Sequence, residues 1–175
     1  MNGVCAGGTG SFIDQMAALL QTDASGLDRE AAHYQQIYPI AARCGVFAKT
    51  DIQPLINEGA TKADLAASIF QAVVNQTISG LACGKPIRGH VAFLGGPLHF
   101  LPQLKAAFIR TLKLTDETTI DPENSHLFAA TGAAIDETPA KAQPLSMLIR
   151  RLDSGVQMDF ELKRLPALFE DEADL

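Results

Sequence analysis

The sequence predicts a mixed α/β domain whose strands pair in parallel, with helices across the faces of the sheet. Between residues 61 and 134 the predicted elements alternate helix, strand, helix, strand, helix, an order that favours parallel pairing. The chain has 175 residues, a length typical of one domain. Hydrophobic residues make up 47% of it, which is enough to bury a core.

Three helices and one strand are predicted before this alternation. Ser11 has the side chain of an N-cap, with Asp14 three residues on, and apolar residues follow at helical spacing. Further along, the pattern predicts a helix over residues 27–34, a strand over 45–48 and a short helix over 52–57.

The longest helix is predicted to begin after Thr61, its N-cap, and to end near Cys83. Asp64 lies in its first turn, where the helix dipole favours a negative charge. Gly84 and Pro86 then end the helix. Cys83 is assigned to packing, because free cysteine is among the residue types most often buried.

Two strands and two helices complete the predicted domain. They are a buried strand over 90–94, a helix over 102–112, a weak strand over 118–120, and a small-residue helix that Asn124 or Ser125 caps and that ends near Ala134. Gly132 in that last helix is expected to permit close helix packing.

Composition excludes several classes of function. A net charge of −6 and a pI near 5.1 argue against nucleic acid and anionic membranes as partners, since both need clustered Lys and Arg. Three cysteines at wide spacing do not form a secreted disulfide framework. The first residues lack the pattern of a signal peptide, and no uninterrupted apolar run approaches the ~20 residues that span a bilayer. We therefore expect a soluble, cytoplasmic domain.

Cys5 precedes a loop made of Gly7, Gly8, Thr9 and Gly10. Unpaired amides at a helix start favour negative charge, and glycines let the backbone approach an anion closely. A cysteine taken alone is more often a buried packing residue. The glycine loop is not a P-loop, because no Gly-Lys-Ser/Thr follows it. The loop indicates a site for an anion or an iron–sulfur cluster.

Cys44 is the second cysteine that indicates a cluster. Arg43 beside it would favour the thiolate form, although a strand-edge cysteine with an incidental neighbour is the simpler alternative. Two cysteines cannot complete the usual set of four thiolates. A cluster held by Cys5 and Cys44 would therefore be shared between two chains.

Gly95, Gly96 and Pro97 follow the predicted strand over 90–94. Ligands of open α/β sheets bind beyond the carboxyl ends of strands, and a glycine pair there lets a flat ring lie against the backbone. The alternative is an ordinary strand-to-helix turn. The four histidines are dispersed without metal-ligand spacing, so they do not indicate a zinc site.

Together these segments resemble the BadF/BadG/BcrA/BcrD ATPase family, the ATP-dependent activators of 2-hydroxyacyl-CoA dehydratases and benzoyl-CoA reductases. The resemblance covers about residues 1–136 and rests on residues 1–12, 43–48, 91–97 and 130–134. The 39-residue separation of positions 5 and 44 also matches the family.

The resemblance implies an RNase H-like fold of the actin, heat-shock chaperone and sugar-kinase type, with ATP or ADP and Mg²⁺ bound in the full-length protein. It implies a homodimer that shares one [4Fe–4S] cluster, with Cys5 and Cys44 as the ligands from each chain. The Gly95-Gly96 turn would contact adenosine. An electron from a donor such as ferredoxin or flavodoxin would pass to a dehydratase or related reductase, either a separate chain or a domain in cis.

The sequence departs from the family in lacking the phosphate-binding Asp-Gly-Ser/Thr loop and Asp-Ile-Gly-Gly hairpin, which would precede Met1. We therefore expect residues 1–136 to be the C-terminal portion of the ATPase domain, truncated on its N-terminal side. Residues 137–175 are expected to be a linker or docking segment toward a further domain. The isolated chain is not expected to hydrolyse ATP, and an unpaired sheet edge is expected to promote association.

Two alternatives come from other functional classes. One is a sugar- or acetate-kinase-like nucleotide-binding domain with structural cysteines. The other is a non-catalytic interaction module of a larger protein that has lost the cluster. The two cysteine contexts favour the activator over the kinase, which has no need of them, and a bound cluster would separate the activator from the module.

Overall fold

A computed structural model of the protein describes residues 10–41, 45–136 and 144–154. The chain forms two compact units, residues 1–136 and residues 137–175. The helices of the first unit are α1 (Gly10–Leu19), α2 (Ala24–Ala31), α3 (Gly45–Asn57), α4 (Lys62–Ala82), α5 (Gly96–Phe100), α6 (Pro102–Leu112), a 3₁₀ helix (Ser125–Leu127) and α7 (Phe128–Ile135). Its strands are β1 (Val91–Ala92) and β2 (Thr119–Ile120), and the second unit contributes α8 (Leu145–Asp153).

The core lies around α4, which contacts both α2 and α6. Ile69 and Phe70 of α4 are fully buried, and they pack with Leu27 of α2 and Leu104 of α6. This is the amphipathic arrangement expected of a long helix in the middle of a helical layer. By length and composition α4, with 21 residues, could also cross a membrane, but half of its apolar stretch is buried inside the fold. The core helix of a globular domain can have the same length and apolar composition.

The predicted ends of the long helix are confirmed. The Thr61 hydroxyl accepts a hydrogen bond from the Asp64 amide at 3.1 Å, and the chain turns left-handed at Cys83 after the last helical residue. The prediction that Cys83 packs in the interior is wrong, because its side chain is exposed and its thiol donates to the Gly80 carbonyl. Leu81 is also exposed, so the end of α4 lies outside the core.

The predicted parallel pairing is confirmed: β1 and β2 are parallel, with Val91 opposite Thr119 and Ala92 opposite Ile120. Both strands are shorter than predicted. The prediction of a fully buried first strand is wrong, because Val91 is half-buried while Ala92 is exposed. Within residues 10–41 and 45–136, helices cover only one face of this sheet.

The strand predicted over 45–48 is wrong, since these residues begin α3. Short apolar runs do not distinguish a strand from a buried helix. Ala48 and Ile52, four residues apart, are both completely buried, which is the spacing of one helical face. The predicted cap Ser11 lies inside α1, and α5 was not predicted.

Helices α2, α6 and α7 correspond to predicted helices, and α6 has the predicted bounds. Helix α2 begins three residues before the predicted start because the Asp23 side chain caps it, accepting from the Gly26 amide. The close packing predicted at Gly132 is absent from the described part of the chain, since a Cβ there would meet no atom within 4 Å.

Candidate functional site

The Gly95-Gly96-Pro97 loop follows β1 and borders a pocket of about 180 Å³. The opposite wall comes from the beginnings of α1 and α2. The lining residues are Gly10, Ile13, Asp14, Ala24, Ser25, Gly96, Pro97, Phe100 and Leu101. The fold therefore brings Gly10, at the end of the glycine-rich loop, to the same pocket as Gly96 and Pro97.

Gly95 gives this loop its shape. Its backbone has φ 98° and ψ 161°, a conformation that is essentially restricted to glycine. Its amide donates to the Ser125 carbonyl at 3.1 Å, which ties the loop to the 3₁₀ helix. At Gly96 φ is not positive, and an added Cβ would meet no atom within 4 Å. Gly95 sets the turn, and Gly96 leaves open space beside it.

The lining of the pocket indicates what kind of chemical group it suits. It includes no Lys or Arg, and its one charged residue is the carboxylate Asp14. The lining therefore offers no side-chain cation to a phosphate, whereas an uncharged ring could contact Pro97, Phe100 and the glycine backbone. The pocket is also smaller than the ~300–1,000 Å³ of typical small-molecule sites, so it can hold only part of a nucleotide-sized ligand.

A histidine pair behind the pocket was not predicted. The rings of His99 and His126 lie 4.1 Å apart, and His99 Nδ1 is 3.0 Å from the buried Ser125 hydroxyl. Phe100, which lines the pocket, contacts the His99 ring edge-on at 4.7 Å. These residues are 26 or 27 positions apart in the chain, so spacing alone gave no signal. They support the wall of the pocket from α5 and the 3₁₀ helix.

The predicted cluster residues lie outside the described part of the chain: Cys5, Gly7, Gly8, Thr9 and Cys44. The helices that follow them are described. Helix α3 begins at Gly45, the residue directly after Cys44, and α1 begins at Gly10. These two helices contact one another.

Asp64 anchors the segment that leads from α2 toward Cys44. Its carboxylate accepts the amides of Gln35 at 2.7 Å and Gln36 at 2.8 Å, and the Thr61 hydroxyl at 2.8 Å. The pKa of Asp64 is lowered by these donors, first by the Gln36 amide, then by the Gln35 amide and by Thr61. An ionised carboxylate is thus built into the fold.

Two further side chains hold the same segment. The buried Ser68 hydroxyl of α4 accepts the Tyr38 amide at 2.8 Å. Asp51 of α3 accepts the Ala41 amide at 2.7 Å, three residues before Cys44. Both long helices therefore fix the backbone just ahead of the predicted ligand.

Asp28 is a buried carboxylate at the other side of the core. It accepts the Gln103 amide at 2.9 Å and so caps α6, whose preceding residue Leu101 has no side-chain cap. Burial raises the pKa of Asp28, while the amides of Gln103 and Leu104 partly oppose this. A cap supplied from 75 residues away has no signal in the local sequence.

Comparison with known proteins gives the family. Residues 1–135 match the BadF/BadG/BcrA/BcrD ATPase family. The chain belongs to this family. It is 29% identical over 136 residues to the 2-hydroxyisocaproyl-CoA dehydratase activator of Clostridioides difficile, covering 77% of this chain and 49% of the relative. It is 35% identical over 96 residues to the (R)-2-hydroxyglutaryl-CoA dehydratase activating ATPase of Acidaminococcus fermentans. That match covers 55% of this chain and 36% of the relative.

Solved structures agree with the predicted fold. The crystal structure of (R)-2-hydroxyglutaryl-CoA dehydratase component A from Acidaminococcus fermentans superposes with a TM-score of 0.66 at 29% identity, covering 74% of this chain and 48% of that one. The structure of the Clostridium difficile activator with bound ADPNP superposes with a TM-score of 0.60 at 24% identity. The superposition covers 79% of this chain and 54% of that one, which shows that the two share a fold. The prediction of a partial activator-type ATPase fold is confirmed. The chain spans about half the length of these solved structures.

Proposed function

We propose that this chain is the part of an ATP-dependent dehydratase activator that carries the cluster ligands and the adenosine-side loop. The observation that carries the proposal is the family match over residues 1–135, which includes both cysteine segments. Two relatives are named as activators of 2-hydroxyacyl-CoA dehydratases. The activity belongs to a complete protein, since this chain spans only part of those relatives.

Cys5 and Cys44 would be the thiolate ligands of a [4Fe–4S] cluster, two from each chain of a homodimer. The described surroundings fit a negatively charged group. Neither α1 nor α3 has an acidic residue in its first turn, and free amides at helix starts favour negative charge. When bound, such a cluster supplies one low-potential electron.

The Gly95-Gly96-Pro97 loop would contact the adenosine part of ATP or ADP. The pocket beside it lacks basic residues, which suits an uncharged base and sugar better than phosphates. Phosphates and Mg²⁺ would be held by the portion of the family fold that this chain does not span. The isolated chain should therefore not hydrolyse ATP, and Mg²⁺-ATP turnover by the pure chain would contradict this assignment.

The electron acceptor would be a 2-hydroxyacyl-CoA dehydratase or related reductase, as a separate chain or in cis, and the donor a ferredoxin or flavodoxin. The names of the relatives support the acceptor. Four cysteines from two chains would meet at one interface, so a nucleotide-driven rotation of the subunits would change their surroundings. In this way the bound nucleotide would influence the cluster through the arrangement of the two subunits.

Residues 1–136 would form the C-terminal portion of the ATPase domain, and residues 137–175 a linker or docking segment. The division of the chain into compact units at this point supports the proposal. Helix α8 exposes an apolar stripe at helical spacing, formed by Leu145, Leu148, Ile149 and Leu152. Such a stripe is typical of a helix that docks on a partner.

The test is iron content. The chain is purified without oxygen, its cluster is reconstituted with iron and sulfide, and iron, sulfide and visible absorption are measured. We expect about two iron atoms per chain, as four shared by two chains require. Cys5→Ala and Cys44→Ala should each abolish binding. Cys83→Ala is the matched control and should retain the iron, because that thiol is exposed at the end of α4.

Two results would contradict the cluster proposal. Absence of iron from the reconstituted wild-type chain, when light scattering shows that the same sample is dimeric, would leave the kinase-like domain or the interaction module as the better function. Equal loss of iron in all three cysteine variants would indicate nonspecific binding to thiols.

A further inference from the structure

Phe100 is a large aromatic residue that stays exposed at the wall of the pocket beside the Gly95-Gly96-Pro97 loop. It lines the pocket together with Gly96 and Pro97, and 64% of its surface is exposed. Ligand sites are usually lined by apolar and aromatic side chains, with few polar groups. An exposed ring at such a wall offers a flat apolar surface to a ligand.

Two histidine rings contact the Phe100 ring and hold it. His99 meets it edge-on, with ring centres 4.7 Å apart and planes at 87°. The centre of the His126 ring lies 5.2 Å from that of Phe100, and the two histidine rings are 4.1 Å apart. Edge-to-face and tilted arrangements at these distances are favourable for aromatic pairs. The three rings therefore restrict the orientation of Phe100, although it is exposed.

Ser125 fixes the glycine loop and these rings relative to one another. It is buried, and its carbonyl accepts the Gly95 amide at 3.1 Å. Its hydroxyl is hydrogen-bonded to His99 Nδ1 at 3.0 Å. The His99 amide in turn donates to the Gly95 carbonyl at 3.1 Å. One buried residue thus bonds to both ends of the segment from Gly95 to His99, directly before Phe100.

This wall suits a nucleotide base better than a phosphate. The lining of the pocket includes no Lys or Arg, and Asp14 is its one charged residue. An aromatic side chain stacks with any base, because every base has a π-face, and the strength of stacking sets the preference among bases. The larger ring system of a purine covers more of a phenylalanine ring than a pyrimidine does. The wall therefore favours a purine.

We propose that Phe100 is the residue on which the nucleotide base stacks, and that His99 is a positioning residue that holds the Phe100 ring. His99 would do so through its hydrogen bond to Ser125 and its ring contact with His126. The proposal rests on the proposed adenosine contact of the Gly95-Gly96-Pro97 loop, and it adds the residue that selects a purine. It does not depend on the cluster.

The experiment titrates adenosine or uridine into the full chain and follows binding by NMR chemical shifts. The wild-type chain should bind adenosine more tightly than uridine. Phe100→Ala should weaken adenosine binding about tenfold and reduce the preference over uridine, because the stacking ring is lost. Phe100→Tyr keeps the ring and should bind normally. Phe47→Ala is the matched control, since it removes a ring that is 62% exposed on α3, outside the pocket.

Two substitutions of His99 each keep one of its contacts. His99→Phe keeps a ring but loses the hydrogen bond to Ser125, and His99→Asn can keep that bond but loses the ring. Each should weaken adenosine binding about threefold and lower the preference over uridine. Ser125→Ala should match His99→Phe. The double variant should lose no more than either single variant, because both remove the same hydrogen bond.

Circular dichroism checks that each variant is folded, and Phe100→Leu, which keeps apolar volume without the ring, replaces Phe100→Ala if that variant is not. Normal adenosine binding by the folded Phe100 variant would overturn the proposal and leave the adenosine contact of the loop standing. Failure of the wild-type chain to bind adenosine would overturn that contact and the proposal with it. Equal weakening of adenosine and uridine in the His99 variants, or additive losses with Ser125→Ala, would overturn the positioning role.

Discussion

Two regions of this chain both contain large apolar side chains but differ in what surrounds them. In the layer formed by α2, α4 and α6, Ile69 and Phe70 are completely buried. In the region of β1, β2 and α7, Ile120 and Phe128 are each 44% exposed. The residue types are the same, so the difference lies in the neighbours. Among the residues that the structure describes, the helical layer buries its own large apolar side chains, and the sheet region leaves several of them exposed.

Buried polar groups show the same contrast. In the helical layer, the carboxylates of Asp28 and Asp64 and the hydroxyl of Ser68 all accept backbone amides. In the sheet region, Thr119 Oγ1 and His126 Nδ1 are buried without a hydrogen-bond partner in the described part of the chain. Unpaired buried polar atoms are uncommon in complete folds. The helical layer therefore satisfies these buried polar groups, and the sheet region leaves two of its own without a partner.

The largest expected effect compares one phenylalanine from each region. Phe70→Ala should lower the free energy of unfolding by about 3–5 kcal/mol, because it leaves a cavity in the packed layer. Phe128→Ala should change it by less than about 1 kcal/mol, since that ring is 44% exposed. Urea denaturation followed by circular dichroism measures both. Equal losses would show that the sheet region is packed as tightly as the core.

The next comparison lies within the turn that joins the sheet to the pocket. Gly95→Ala should destabilise the chain by about 1–3 kcal/mol, because φ 98° is strained for alanine. Gly96→Ala is the matched control and should leave stability nearly unchanged, since its Cβ meets open space. Thermal unfolding of the two variants checks this. A stable Gly95→Ala variant would mean that the turn can relax.

A smaller effect is expected at the start of α4. Thr61→Ala should lower the free energy of unfolding by about 1 kcal/mol, because the Asp64 amide loses its capping oxygen. Thr61→Ser keeps the hydroxyl and should retain most of the stability. Denaturant midpoints of the two variants provide the measurement. Similar losses would assign the effect to the methyl group of Thr61 instead of the cap.

The smallest effect concerns pH and separates two carboxylates of the helical layer. The pKa of Asp64 in the folded chain is lowered from 3.8. Its ionised carboxylate therefore stabilises the fold above pH 3.8, and this stabilisation is lost as the pH falls through the folded pKa. The folded pKa of Asp28 is raised from 3.8, so its effect has the opposite sign: stability declines as the pH rises above that value toward the folded pKa. Melting temperatures are measured across this acid range. Asp64→Asn should remove the loss of stability at falling pH, and Asp28→Asn should remove the loss of stability at rising pH. Unchanged pH profiles would contradict both assignments.

Local sequence patterns were enough to predict much of the helical layer. The cap at Thr61 and the apolar spacing of α4 gave both ends of that helix, and α6 has the predicted bounds. The same reasoning failed over residues 45–48, where a short apolar run fits a strand or a helix equally well. It also missed α5, whose five residues are too few to show a period.

The site was predictable only as separate segments. The glycine loops ending at Gly10 and beginning at Gly95 each had a local signal, but their meeting at one pocket depends on how α1 packs near α5. The contact of His99 with His126 and the cap from Asp28 to α6 join residues far apart in sequence. No local pattern encodes such contacts.

Residue types at short fixed spacing were enough to predict the family, the Thr61 cap of α4, the parallel strand pair and the candidate ligands. Which apolar residues are buried became clear only from the packing of the helices and strands. Cys83 and Gly132 were expected to pack inside or against a neighbour, and both are instead open. Burial depends on what lies opposite a residue, and that is set by the packing of the whole fold.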